Sequence, residues 1–186
     1  MKIALVSPYD WSYPGGVGQH IQHLAGYLRA RGHEAHILTA ASEPVSDPLV
    51  HVIGNAFPLA INGSVARPGI PTLRWTPTED ILSPERFDLV HLHEPLVSPL
   101  TMACAVFARA YGIPCVGTFH AAASQTARWL YESARPVMGP VFTALDERIA
   151  VSPVALATIG QIFPAEYHII PNGVDVARFA SARHAI

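Results

Sequence analysis

Short apolar runs alternate with amphipathic stretches along most of the chain. Residues 2–6 form a strand-like run, and between Val17 and Arg31 the apolar positions Val17, Ile21, Leu24, Ala25 and Leu28 repeat as one buried helical face. Gly32 stands where a C-terminal helix cap belongs. The pattern returns to strand over 34–39 and passes through a polar loop at 42–48. It then predicts two short strands, 49–53 and 56–61, around a turn at Gly54 and Asn55. Thr76 and Glu79 form a capping box with Pro77 at the first helical position, opening a short helix to about Ser83. Residues 87–93 alternate as a strand, and Ser98 and Pro99 open a helix that Gly112 closes. Residues 115–119 form an apolar strand suited to the middle of a parallel sheet. A helical stretch over 125–145 carries Pro136 and Pro140, which predict a kink or a break. Residues 148–151 make another strand, Ser152 and Pro153 another helix start, and 167–170 a last strand. This alternation predicts an α/β fold, a doubly wound, mainly parallel Rossmann-like sheet. Residues 1–170 read as that domain and 171–186 as the start of a linker.

Composition narrows the chemistry. With 50% of its 186 residues hydrophobic, the chain can bury a substantial core. A net charge of -2 argues against a broad basic surface, so no nucleic-acid partner is expected. Lys2 is the only lysine, beside eleven arginines. Schiff-base and P-loop lysine chemistry are thereby excluded. Cys104 and Cys115 sit in apolar surroundings and read as buried thiols of a reducing compartment. The N-terminal apolar run breaks at Ser7 and Pro8, so it does not read as a signal peptide. No stretch reaches the ~18 uninterrupted apolar residues of a membrane span. A cytoplasmic protein is the expectation.

The strongest chemical signal lies between the first strand and the first helix. Gly15, Gly16 and Gly18 have no Cβ, so a ligand's phosphates can approach the main chain where free N–H groups and the positive end of a helix dipole meet. A tight turn that binds nothing accounts for the same glycines. The dinucleotide fingerprint is incomplete. Ile21 occupies its third glycine position, and no acidic residue ends the second strand to hold a ribose. A nicotinamide-dependent oxidoreductase is therefore the weaker alternative.

Other candidates are more scattered. His20 and His23 lie off the helix's apolar stripe, without a third ligand type beside them, and read as solvated or ligand-facing rather than metal-bound. Asn62, Ser64 and Arg67 place an amide, a hydroxyl and a guanidinium on a predicted loop, suited to a phosphate or a polyhydroxy ring. His91 and His93 share one side of a strand that ends in Glu94 and Pro95. A zinc pair there lacks further ligands at a usual spacing, and a shaped cleft wall is the better reading. His120 falls at the C-terminal tip of the apolar strand, where open α/β sheets gather their ligands.

Four stretches together carry a family resemblance: Pro14-Gly-Gly-Val17, Phe87-Asp-Leu-Val-His-Leu-His-Glu-Pro95, Gly117-Thr-Phe-His120 and Pro171-Asn-Gly-Val-Asp175. With them the chain resembles the N-terminal domain of a family-4 retaining glycosyltransferase of the GT-B fold. The hexapeptide from Asn62 to Arg67 is similar to the acceptor loop of the phosphatidylinositol mannosyltransferases. The resemblance implies transfer of a sugar, with mannose favoured, from a nucleotide sugar such as GDP-mannose to an acceptor hydroxyl of a polyol or inositol phosphate. It implies that Gly15 and Gly16 meet the donor diphosphate and that His120 sits beside the transferred sugar. Tyr9, Asn62, Ser64 and Arg67 would hold the acceptor. No metal or other cofactor is implied, because helix dipoles and cationic side chains stabilise the leaving diphosphate. It also implies a donor-binding C-terminal domain that these residues do not contain, without which the chain should transfer little sugar.

The sequence departs from that pattern at several points. Ile61 replaces a tyrosine, Ala121 a hydroxyl residue, and Gln125 a lysine. The region matching a lysine-rich lipid-docking helix holds Glu79, Asp80 and Glu85 against Arg86, and offers no electrostatic reason to bind a membrane. A non-catalytic ligand-binding module derived from such a transferase is the alternative of another class.

Overall fold

The computed structural model describes residues 1–61, 64–71, 87–121, 125–174 and 176. The elements run β1 (Lys2–Asp10), α1 (Gly16–Ala30), β2 (Glu34–Ala40), β3 (Val50–Ala56), β4 (Leu59–Ile61), β5 (Ser64–Ala66), β6 (Gly69–Pro71), β7 (Leu89–His93) and α2 (Pro99–Ala110). They continue with β8 (Cys115–Phe119), α3 (Gln125–Ser133), α4 (Arg135–Thr143), β9 (Glu147–Ala150), α5 (Pro153–Ile162) and β10 (His168–Ile169). Eight strands form one sheet in the order β10-β9-β8-β7-β1-β2-β3-β6. Every pairing in it is parallel except β3 with β6. The α/β, mainly parallel expectation holds. The predicted helix at Thr76 and the linker beyond residue 176 lie outside the described residues.

The period-2 alternation of β1 builds a two-sided core. Ile3 and Leu5 join Ile21 and Ala25 of α1 on one side, while Ala4 and Val6 join Leu100, Cys104 and Phe107 of α2 on the other. Leu5, Ile21 and Leu100 are wholly buried, each worth roughly 1.5–3 kcal/mol of removal from water. Helix boundaries follow the local signals. Ser98 and Ser152 accept hydrogen bonds from the N–H groups of Thr101 and Ala155, each with proline at the start of its helix. Gly32 and Gly112, with φ of 83° and 66°, close α1 and α2. The stretch 125–145 breaks at Ala134 into α3 and α4, as the prolines predict.

Several boundaries differ from the sequence reading, and β5 falls within the stretch read as a loop around Ser64. The Gly54–Asn55 pair is no turn; β3 runs through it. Glycine is needed there because a Cβ would collide with the carbonyl group of Ile70 on the adjacent antiparallel strand. β1 also extends past Val6 to Asp10, after a register shift. That extension brings Tyr9 into a bridge with Pro68, and the Asp10 N–H donates to the Arg67 carbonyl at 2.9 Å. The start of the chain is thereby tied to the segment leaving the β4–β5 hairpin.

Candidate functional site

A cleft of about 790 Å³ opens beside the C-terminal end of β1, in the region where parallel sheets place their ligands. One wall is the start of α1, where Gly15 is the N-cap and no side chain caps the first turn. A Cβ at Gly15 or Gly16 would meet open space, so the glycines leave the helix N-terminus accessible. The facing wall is Arg67, whose guanidinium lies 3.8 Å from the centre of the Tyr13 ring. Among the described residues no carboxylate pairs with Arg67. Tyr9, Trp11, Gln19 and Gln22 complete the lining. Asp10 shapes the rim: its carboxylate accepts from the Ser12 and Ser42 N–H groups at 3.1 and 3.0 Å and from the Ser42 hydroxyl at 2.7 Å. Burial raises its pKa, but these bonds outweigh that effect and hold it below its ordinary value.

A second cluster adjoins the first turns of α1. His20 from α1, His93 at the end of β7 and His120 just past β8 bring their ring centroids within 5.1–5.4 Å of one another. His93 Nδ1 and His120 Nε2 share a hydrogen bond of 3.0 Å. His91 stacks on His93 and pairs with the Thr118 hydroxyl at 2.7 Å. Burial is the main cause of the low pKa of each of these histidines. It holds His91 and His120 down to about 4 and His93 well below its ordinary value, with repulsion among the rings adding to it. His20 is lowered by burial and then by His23. At neutral pH His120 therefore offers a hydrogen bond, not a positive charge.

Glu94 fixes His120 in place. Its φ of 49° is a left-handed conformation that costs a non-glycine residue energy and persists only where surrounding contacts enforce it. Here Glu94 Oε1 accepts the N–H groups of His120 and Ala121 at 2.6 and 2.7 Å, and the Glu94 N–H donates to the Thr118 carbonyl at 2.8 Å. The ends of β7 and β8 are thus tied together. Burial pushes the Glu94 carboxyl up and the two N–H groups only partly offset this. Burial, followed by the Glu94 charge, pushes Tyr9 up to about 12.

Of the residues singled out from sequence, Tyr9, Gly15 and Arg67 line one cleft, with Gly16 beginning the helix beside it. His120 is not part of that lining and belongs to the histidine cluster, joined to the cleft through α1. Ser64 lies on β5, and Asn62 falls outside the described residues. Sequence reasoning missed the stacking of Arg67 on Tyr13 and the convergence of His20 with His93 and His120. It also took Glu94 for a wall residue, although its place between a strand end and Pro95 hinted at a special backbone.

Comparison with known proteins agrees with this architecture. A family model described as Glycosyltransferase Family 4 matches residues 14–178. The phosphatidyl-myo-inositol mannosyltransferase of Mycolicibacterium smegmatis is 36% identical over 183 residues, covering 98% of this chain and 46% of that protein. The protein of the same name from Propionibacterium freudenreichii is 30% identical over 198 residues, covering 98% and 49%. The chain spans about half the length of the curated relatives it matches. Among solved structures, the catalytic domain of starch synthase IV from Arabidopsis thaliana, bound to ADP and acarbose, superposes with a TM-score of 0.56. It has 14% identity and is matched over 96% of this chain and 52% of that one. An alpha-glucosyltransferase in complex with UDP and DNA gives a TM-score of 0.59 at 11% identity, over 95% and 43%. These two likenesses concern the fold alone. The family match over residues 14–178, far more than half of the chain, decides the assignment: the chain belongs to glycosyltransferase family 4.

Proposed function

We propose that this chain is the acceptor-binding domain of a retaining glycosyltransferase, which moves a hexose, with mannose favoured, from a nucleotide sugar to a hydroxyl of an inositol phosphate. One observation carries the reading. The cleft has a glycine-opened, uncapped helix N-terminus on one wall and an arginine held over a tyrosine ring on the other. Both walls suit anionic oxygen. The helix N-terminus offers N–H groups and a positive dipole end to the donor diphosphate. Arg67 offers a planar fork to the acceptor phosphate, with Tyr9 against the acceptor ring.

In this reading the leaving diphosphate is stabilised by fixed dipoles and cations, and no metal takes part. His120 is uncharged at neutral pH and bonds a hydroxyl of the transferred sugar. Attack on the same face as departure retains configuration, so no side chain of this chain forms a covalent intermediate. The nucleotide is gripped by a second domain, and the 186-residue chain alone binds acceptor but transfers little sugar.

A calorimetric titration with glycerophosphoinositol, beside an Arg67→Ala control, tests the acceptor class. The expected result is saturable binding that weakens at least tenfold in the variant while its melting temperature stays the same. A well-folded wild type that does not bind would reject the inositol-phosphate acceptor. A variant that loses stability instead would make Arg67 a structural residue.

A further inference from the structure

We propose that His20, His93 and His120 form a site for one divalent transition-metal ion of the zinc and cobalt class. Each imidazole offers one nitrogen, and the three nitrogens lie within 4.8 Å of one another. They come from three separate elements: α1, the tip of β7 and the residue after β8. The meeting point is therefore built by the fold and not by a flexible loop segment.

One feature beyond the convergence of the rings points to a ligand at this place. Nε2 of the wholly buried His93 has no hydrogen-bond partner among the described residues. A buried nitrogen left so is costly, and a bound ion would give it a partner.

Three imidazoles with an open fourth position form a recurring zinc environment. Nitrogens about 2 Å from a tetrahedral ion are about 3.3 Å apart. The present spread of up to 4.8 Å closes by a modest turn of the rings. His20 has the freedom to make it, being only partly buried on a helix surface. His93 is wholly buried and His120 is anchored through its main chain, and their rings already meet at 3.0 Å between Nδ1 and Nε2. Imidazole sets of this kind suit zinc, copper and nickel and select against magnesium and calcium. Bound metal would also engage the His120 imidazole that the proposed transfer assigns to the sugar. That last consequence, an inhibitory ion, rests on the proposed function; the site itself does not.

The test is a cobalt(II) chloride titration of the untagged 186-residue chain at neutral pH, followed by the visible absorption of four-coordinate cobalt and then by displacement with zinc. One ion per chain is expected, with magnesium unable to compete. His20→Ala should weaken cobalt binding at least tenfold, and its metal-free melting temperature should match that of wild type. His51→Ala, which dismantles the separate His36–His51 pair, should bind cobalt as wild type does. Absence of saturable binding at millimolar cobalt would overturn the site, as would equal affinity in wild type and His20→Ala. Loss of binding in His51→Ala alone would move the ion elsewhere and equally reject it. Failure of glycerophosphoinositol to bind leaves this result untouched, so the two readings fail separately.

Discussion

Removing the Glu94 carboxyl while keeping its backbone conformation isolates the tie between β7 and β8. In Glu94→Ala the N–H groups of His120 and Ala121 lose the oxygen that accepts both, at 2.6 and 2.7 Å. Hydrogen bonds to a charged acceptor contribute about 1.5–3 kcal/mol each. Ala121 is exposed, so water replaces part of its bond, whereas His120 is only partly accessible. The expected loss is about 3 kcal/mol, which corresponds to about 6–12 °C in Tm for a chain of this length. Glu94→Gln retains a carbonyl oxygen for both donors and removes a buried charge. It should unfold within about 1 kcal/mol of wild type at neutral pH. Urea unfolding followed by tryptophan fluorescence measures both variants. The sign with pH is also fixed. Because the folded carboxyl titrates above its ordinary 4.5, the cost of its charge is absent below that value and grows as pH rises through the raised one. The stability of Glu94→Gln relative to wild type should therefore improve across that window. An alanine variant losing less than about 0.5 kcal/mol would refute the tie, given the size expected of such bonds. A glutamine variant as damaged as alanine would show that the charge matters and not the acceptor oxygen.

The histidine cluster works in the opposite direction, because His91 and His120 remain neutral down to about pH 4 while an unfolded histidine accepts its proton near 6.5. Stability is complete above 6.5 and should fall as pH drops toward 4; NMR titration of the two imidazole C–H signals with midpoints near 6.5 would contradict this. Gly54→Ala should cost about 1–3 kcal/mol, since the new Cβ meets main chain and not a side chain that can turn away; a neutral change in urea midpoint would reject the close approach of β3 and β6. Cys104 and Cys115 are free and buried, and burial raises both thiols, Cys115 to about 12. An aromatic disulfide reagent should therefore label them only as fast as the core opens, and rapid labelling of the native chain would place a thiol at the surface.

The sequence was most legible where a local rule decided the outcome. The serine–proline helix starts at Ser98 and Ser152, the glycine closures at Gly32 and Gly112, and the broken helix at Ala134 all depend on neighbours within a few positions. The glycine turn before α1 was readable for the same reason. Gly54 was misread because its cause lies across the sheet, in the Ile70 main chain, and local sequence does not distinguish a close approach from a turn. The extension of β1 to Asp10 likewise depends on Ala40 and Arg67. His20, His93 and His120 are far apart in sequence, and only the parallel register of β1, β7 and β8 brings them together. Arg67 was found by its chemical type, whereas its support by Tyr13 required the folded chain.

The β4–β5 hairpin forms a two-stranded sheet apart from the eight-stranded one, and it delivers the chain to Arg67. The main sheet's hydrogen bonding closes across β3 and β6 without it, so the sheet does not depend on β4 and β5 for its continuity. Substitutions in β4 and β5 can therefore alter the rim beside Arg67 while the hydrogen bonding of the main sheet stays as it is.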